Sequence, residues 1–174
     1  MGLAHEARAS VALERAQHYA GELAVSQCTR LSAEIVAGTD PVLRAELQAD
    51  RRSGWPRLHG RVTGTLALEC RRCGRVYDHA LDLALDLRLV FGEAEERAAL
   101  AEAEPLLIEG DRLPLRQIVE DEVLLALPML PRCQSCENEV NQAAAHPALP
   151  PEQEAPASRD NPFAVLKRQL QSKE

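Results

Sequence analysis

The sequence predicts an α+β domain: an antiparallel sheet built on one long central hairpin, covered by short helices, tied by a four-cysteine knuckle and followed by a disordered C-terminal tail. Three observations carry that expectation. Two runs, 57–70 and 76–91, alternate apolar with polar residues, the pattern of strands buried on one face. Residues 115–127 repeat their apolar positions at helical spacing instead. Two Cys-x-x-Cys pairs, Cys70/Cys73 and Cys133/Cys136, fall between the two runs and just beyond that helix. A chain of 174 residues suffices for one domain with its own core, expected over 1–140, then a linker over 141–160 and a short amphipathic motif over 161–174.

Taken in order, Ser10 to Ala20 reads as a short helix with Ser10 as N-cap and Val11, Leu13, Ala16 and Ala20 available to pack. Ser26 is placed to cap a second helix running to Val36 and ended by Gly38. Asp40-Pro41 releases an extended segment, Val42 to Gln48, before a turn at Arg52-Ser53-Gly54. The first alternating run then puts Leu58, Val62, Leu66, Leu68 and Cys70 on one face and Arg57, His59, Arg61 and Thr63 on the other. The second puts Tyr77, Leu81, Leu85, Leu87 and Leu89 opposite Asp78, Asp82, Asp86 and Arg88. For the apolar faces to coincide, the numbers of directly opposed residues must sum to an odd number, since a one-residue slip would bury the arginines. After an acidic stretch, Pro105 to Ile108 reads as a strand and Glu109-Gly110-Asp111 as a turn. The helix from Leu115 is stopped by Pro128, and Glu122 falls in the middle of its apolar face. Two placements follow for that carboxylate: beside a cation such as Arg72, or turned to solvent by rotation of the helix.

The two cysteine pairs offer four thiols to one tetrahedral Zn²⁺, which would be a single structural ion held by Cys70, Cys73, Cys133 and Cys136. Free thiols and a redox dithiol are the alternatives. A redox Cys-x-x-Cys opens a helix after a strand, whereas Cys73-Gly74-Arg75 leads into another strand, so the helix terminus that lowers a thiol pKa is missing. Cys28 reads as a small core residue.

The net charge of −7 argues against indiscriminate binding to nucleic acid, but it is unevenly spread. Arginines 51, 52, 57, 61, 71, 72 and 75 lie in a segment whose only acid is Glu69. Arg57, Arg61, Arg71, Arg72 and Arg75 therefore form a candidate surface for an anionic partner, the alternative being that they pair with acids within the fold. Aromatic residues make up 3% of the chain, which leaves little for stacking on bases as a main device. No apolar run reaches membrane-spanning length and the first residues lack the pattern of a leader, so the expected location is the cytoplasm, with reduced thiols and no membrane partner. No Gly-rich phosphate loop, His-rich metal pair or nucleophile elbow appears, so an enzyme is not expected. In the tail, Asn161-Pro162 is a helix-opening pair, and Phe163, Leu166 and Leu170 lie at helical spacing among Lys167, Arg168 and Lys173. That segment reads either as a docking motif or as a frayed end.

Three strings occur in order: Leu68-Glu-Cys-Arg-Arg-Cys-Gly74, Val119-Glu-Asp-Glu-Val-Leu-Leu-Ala-Leu-Pro128 and Asn161-Pro-Phe-Ala-Val-Leu-Lys167. In them the chain resembles the YceD family, the large ribosomal RNA subunit accumulation proteins, from about Glu14 to the C-terminus. Cys70, Arg72 and Cys73 match the family's cysteine knuckle, and Glu122, Leu127 and Pro128 match its helix signature, which implies structural roles for Glu122 and Pro128. Many members look to have His and a more distant Cys where this chain has Cys133-Gln-Ser-Cys136, so the four-thiolate site is read from this chain's own residues. The resemblance implies a non-enzymatic role in the synthesis, processing or stability of 23S ribosomal RNA. Its partner would be that RNA or a large-subunit precursor, met directly or through a ribosomal protein. The alternative is a zinc-stabilised protein-interaction module whose acidic surface binds a basic ribosomal protein.

Overall fold

The computed structural model describes residues 1–138 apart from Ser53. Met1–Glu137 forms one compact unit. The expectations for the linker and for Phe163, Leu166 and Leu170 lie outside the described residues. In chain order the compact unit contains β1 (Ala7–Arg8), α1 (Ala9–Glu14), β2 (His18–Ala24), a 3-10 turn (Val25–Gln27), α2 (Thr29–Glu34), β3 (Val42–Arg52), β4 (Trp55–Glu69), β5 (Val76–Val90), α3 (Glu93–Ala99), β6 (Glu104–Leu107), β7 (Arg112–Leu113) and α4 (Leu115–Ala126).

The alternating runs make the centre of the sheet. β4 and β5 pair antiparallel over thirteen positions, from Arg57↔Arg88 to Glu69↔Val76, and every opposed pair sums to an odd number, as the apolar faces require. Leu58, Val62, Leu66 and Leu68 thereby share a buried face with Leu81, Leu85, Leu87 and Leu89. α1, α2 and α4 add Ala9, Ala12, Leu13, Leu31, Leu115, Ile118, Val119 and Val123 to the same cluster. Each fully buried leucine there is worth about 2 kcal/mol of transfer free energy.

The five-stranded sheet runs β2-β3-β4-β5-β6, with β1 and β7 paired separately. It is mixed rather than wholly antiparallel, because β6 lies parallel to β5. A parallel neighbour needs a crossover. The acidic stretch supplies it as α3, a helix the charge pattern concealed, and Val90 and Ala99 are buried there outside the main cluster.

Two N-terminal expectations are corrected. The predicted helix from Ser10 to Ala20 stops at Glu14: Ala16 takes φ 47°, and His18–Ala24 instead forms β2 against β3. Pairing with a neighbouring strand outweighs the moderate helix propensity of that segment. Ser26 does not open the second helix. Its N–H and hydroxyl both donate to the Asp40 carboxylate at 2.9 Å, which holds it in the 3-10 turn, and α2 begins only at Thr29.

Neither α1 nor α2 has a cap from its own N-cap side chain. Both are capped by a distant carboxylate. Asp111 accepts the Ser10 N–H at 2.7 Å and the Ser10 hydroxyl at 2.7 Å, and Glu120 accepts the N–H groups of Arg30 at 2.7 Å and Leu31 at 3.1 Å. Two glycines permit close backbone contacts. A Cβ on Gly21 would lie 2.6 Å from Leu3 N and Cα, where Met1–Leu3 bonds along β2, and one on Gly60 would lie 2.0 Å from the Glu46 carbonyl oxygen.

Candidate metal centre at the hairpin turn

The β4–β5 hairpin reverses over Cys70 to Arg75. Cys70 N–H donates to the Arg75 carbonyl and Gly74 N–H to the Cys70 carbonyl, each at 2.9 Å, and Gly74 takes the φ of 70° that this closure needs. The second pair arrives from α4. Pro128 disfavours helical geometry at Leu127, which adopts φ −65° and ψ 139°, and the chain leaves the helix as an extended segment. The Pro131 carbonyl then accepts Arg71 N–H at 2.9 Å, which brings that segment against the turn two residues before Cys133.

The four sulfur atoms of Cys70, Cys73, Cys133 and Cys136 all lie within 4.8 Å of one another. Cys73 Sγ and Cys133 Sγ are 3.8 Å apart. A tetrahedral Zn²⁺ with Zn–S bonds of about 2.3 Å has sulfur–sulfur edges of roughly 3.8 Å, so the donor set fits that ion. The same separation is far from a disulfide, and all five cysteines are free thiols. Cys70, Cys133 and Cys136 are buried with Tyr77 packed against them, while Cys73 is exposed.

The surroundings of the thiols favour ionised sulfur at some and oppose it at others. The backbone N–H of Cys133, joined by those of Cys73 and Arg72, brings the Cys70 thiol down to about 6 against the opposing effect of burial. The Arg75 guanidinium lowers Cys73. Burial, followed by the thiols of Cys73, Cys133 and Cys70, pushes Cys136 up to about 12. Four thiolates crowd too much negative charge into one place without a cation. A divalent ion removes that conflict, and the N–H groups aimed at sulfur are the outer shell such a site uses.

The arginines divide into two groups. Arg57 pairs with Asp86, and Arg61 forms a two-pronged pair with Asp82, both diagonally across the hairpin, so the polar face is largely neutralised by acids of β5. Arg71, Arg72 and Arg75 are exposed around the turn, with Arg72 donating to the Cys136 carbonyl at 3.3 Å. Among the described residues no cation offsets the acidic surroundings of Glu122. Burial, then the charges of Glu104 and Asp121, raise its carboxyl, so its electrostatic neighbours are acids.

The acid of α4 that caps α2 is Glu120, which the sequence pattern did not single out, and Asp121 shares its Arg30 partner at 2.5 Å. Glu120 is buried and pairs with the Arg30 guanidinium at 3.1 Å. The available signal was negative: Cys28-Thr29 gives α2 no good cap, so its N–H groups needed an acceptor from elsewhere.

A family model described as "Large ribosomal RNA subunit accumulation protein YceD" matches residues 58–169. A protein of Haemophilus influenzae described in the same words is 30% identical over 158 residues, an alignment covering 88% of this chain and 87% of that protein. No solved structure matches the chain.

Proposed function

The chain belongs to the YceD family of large ribosomal RNA subunit accumulation proteins, and from that premise we propose that it is a non-catalytic, cytoplasmic factor in the synthesis, processing or stability of 23S ribosomal RNA. One structural zinc ion, held by Cys70, Cys73, Cys133 and Cys136, stabilises it. The observation supporting the zinc is the mutual approach of four sulfurs within 4.8 Å, from pairs far apart in sequence. When bound, Zn²⁺ supplies a closed tetrahedral cross-link with no open position for chemistry. The protein's own residues do the rest: Arg75 offsets thiolate charge at Cys73, and Arg71 and Pro131 join the two loops through their backbones.

The partner is 23S ribosomal RNA or a large-subunit precursor. Arg71, Arg72 and Arg75 meet its phosphates at the hairpin turn. Arg57 and Arg61 contribute less to that contact, since Asp86 and Asp82 already pair with them. Glu122 and Pro128 act structurally, and the 161–174 motif docks a partner through Phe163, Leu166 and Leu170.

A second reading is a zinc-stabilised module that binds a basic ribosomal protein and affects RNA indirectly. It draws on the apolar residues left in solvent near the turn, where Met129 is 98% exposed and Leu125 and Leu130 are exposed as well. Crosslinking in cells, with identification of the attached RNA and protein, separates the two. Direct 23S crosslinks support the first reading, and crosslinks confined to a ribosomal protein replace it with the second. Depletion that leaves 23S levels unchanged removes both.

A further inference from the structure

At the end of the hairpin remote from the cysteines, a groove of about 550 Å³ opens between the β3–β4 turn and α3. Trp55, Phe91, Arg51, Arg88, Glu95 and Ala98 are among its lining residues. We propose that this groove binds one unpaired nucleotide of RNA, its base against Trp55 and Phe91 and its phosphate against Arg51. The proposal rests on the RNA reading above and names a site for it.

The aromatic residues argue first. The main core is aliphatic, with neither Trp nor Phe among its buried side chains. The chain has one Trp and two Phe. Trp55 and Phe91 both lie at this groove, 52% and 46% exposed. Aromatic side chains left out of an available core and gathered around a cavity of ligand size present stacking surface. The Trp55 ring is also held in place, because the Arg88 guanidinium lies 3.5 Å from its centroid and is itself paired with Glu102. A fixed ring loses little freedom when a base stacks on it.

Charge argues next. Arg57, Arg61 and Arg88 have acidic partners, whereas Arg51 is exposed and has no ion pair among the described residues. It is the cation at this groove able to meet a phosphate without first breaking a pair. Glu95 argues against an acidic peptide as occupant and for a base with an exocyclic amino group. One of its oxygens accepts Phe91 N–H at 2.9 Å, and the other has no partner among the described residues. A carboxylate oxygen accepts from an exocyclic amino group, so cytosine or adenine is favoured over uracil, which has none.

Because Trp55 is the only tryptophan, emission excited at wavelengths that tyrosine does not absorb reports on this groove alone. Short oligocytidylate should quench Trp55 emission, and oligouridylate should quench it more weakly. Phe91→Ala and Arg51→Ala should each weaken oligocytidylate binding, the former by about tenfold as loss of one stacking partner. Both residues are exposed, so melting should stay at the wild-type temperature. Glu95→Ala should narrow the difference between the two oligonucleotides. Anisotropy of end-labelled oligonucleotides separates the possible failures. Binding with unchanged Trp55 emission would overturn the site and leave the RNA reading standing. No oligonucleotide binding, with Trp55 quenched by a basic ribosomal protein, would overturn both in favour of protein docking.

Discussion

Glu120 shows how much one carboxylate can carry. It accepts two backbone N–H groups of α2 and pairs with the Arg30 side chain, from a buried position on α4. Glu120→Ala would leave those N–H groups without an acceptor and should cost about 2 kcal/mol in urea unfolding at neutral pH. Burial pushes the Glu120 carboxyl upward, but the bonds from Leu31 and Arg30 outweigh it and bring the group below its ordinary value. A depressed folded-state pKa gives stability that is full above the unfolded-state value and disappears as pH falls through the folded one. The gap between wild type and Glu120→Gln should therefore narrow when unfolding is repeated below the usual carboxylate range, and a constant gap would mean that the charge is not what matters. At the same scale, Cys70→Ser should lower both zinc content and melting temperature, measured by metal analysis and calorimetry. The cysteines were legible because Cys-x-x-Cys is a local spacing. Glu120 was not, since three consecutive acids, Glu120, Asp121 and Glu122, all stand on the helix and only the position of α2 selects among them.

The hairpin depends on what its glycines lack. A Cβ on Gly60 meets backbone, the Glu46 carbonyl oxygen, whereas one on Gly64 meets chiefly the tip of the Leu43 side chain at 2.8 Å. Backbone cannot step aside and a leucine methyl can. Gly60→Ala should therefore destabilise by about 3 kcal/mol or more and Gly64→Ala by about 1 kcal/mol, in denaturant titrations of the two variants. Elements with a strong period were readable in advance: β4 and β5 through alternation, and α4 through its apolar stripe. β2 was hidden because Ala16, Gln17 and Ala20 suit a helix locally, and what makes His18–Ala24 a strand is its partner β3. α3 was hidden because Glu93, Glu95 and Glu96 mark it as a solvated run, although acids in a first turn suit a helix dipole.

Across the whole molecule, the thiol cluster joins the turn of the central hairpin to the segment after α4, closing a loop that contains β5, α3, β6, β7 and α4. A zinc ion held there would favour the folded chain, since the unfolded chain offers no assembled site for it. Purified protein should carry about one zinc by native mass spectrometry, and a chelator should lower its melting temperature. A preparation free of metal yet equally stable would leave the thiols without a structural task. The length of β4 has a different consequence. Its 15 residues, Trp55–Glu69, put the aromatic groove and the cysteine turn at opposite ends of one strand, roughly 45 Å apart at ordinary strand rise. The hairpin is then a stiff ruler. Two weak contacts at its ends reinforce one another only on a target whose own two features stand at that span, so fit is decided by distance as much as by chemistry. Lengthening β4 and β5 by two residues each would keep the buried faces in phase, move the ends apart by about 7 Å and weaken binding to such a target while sparing the fold.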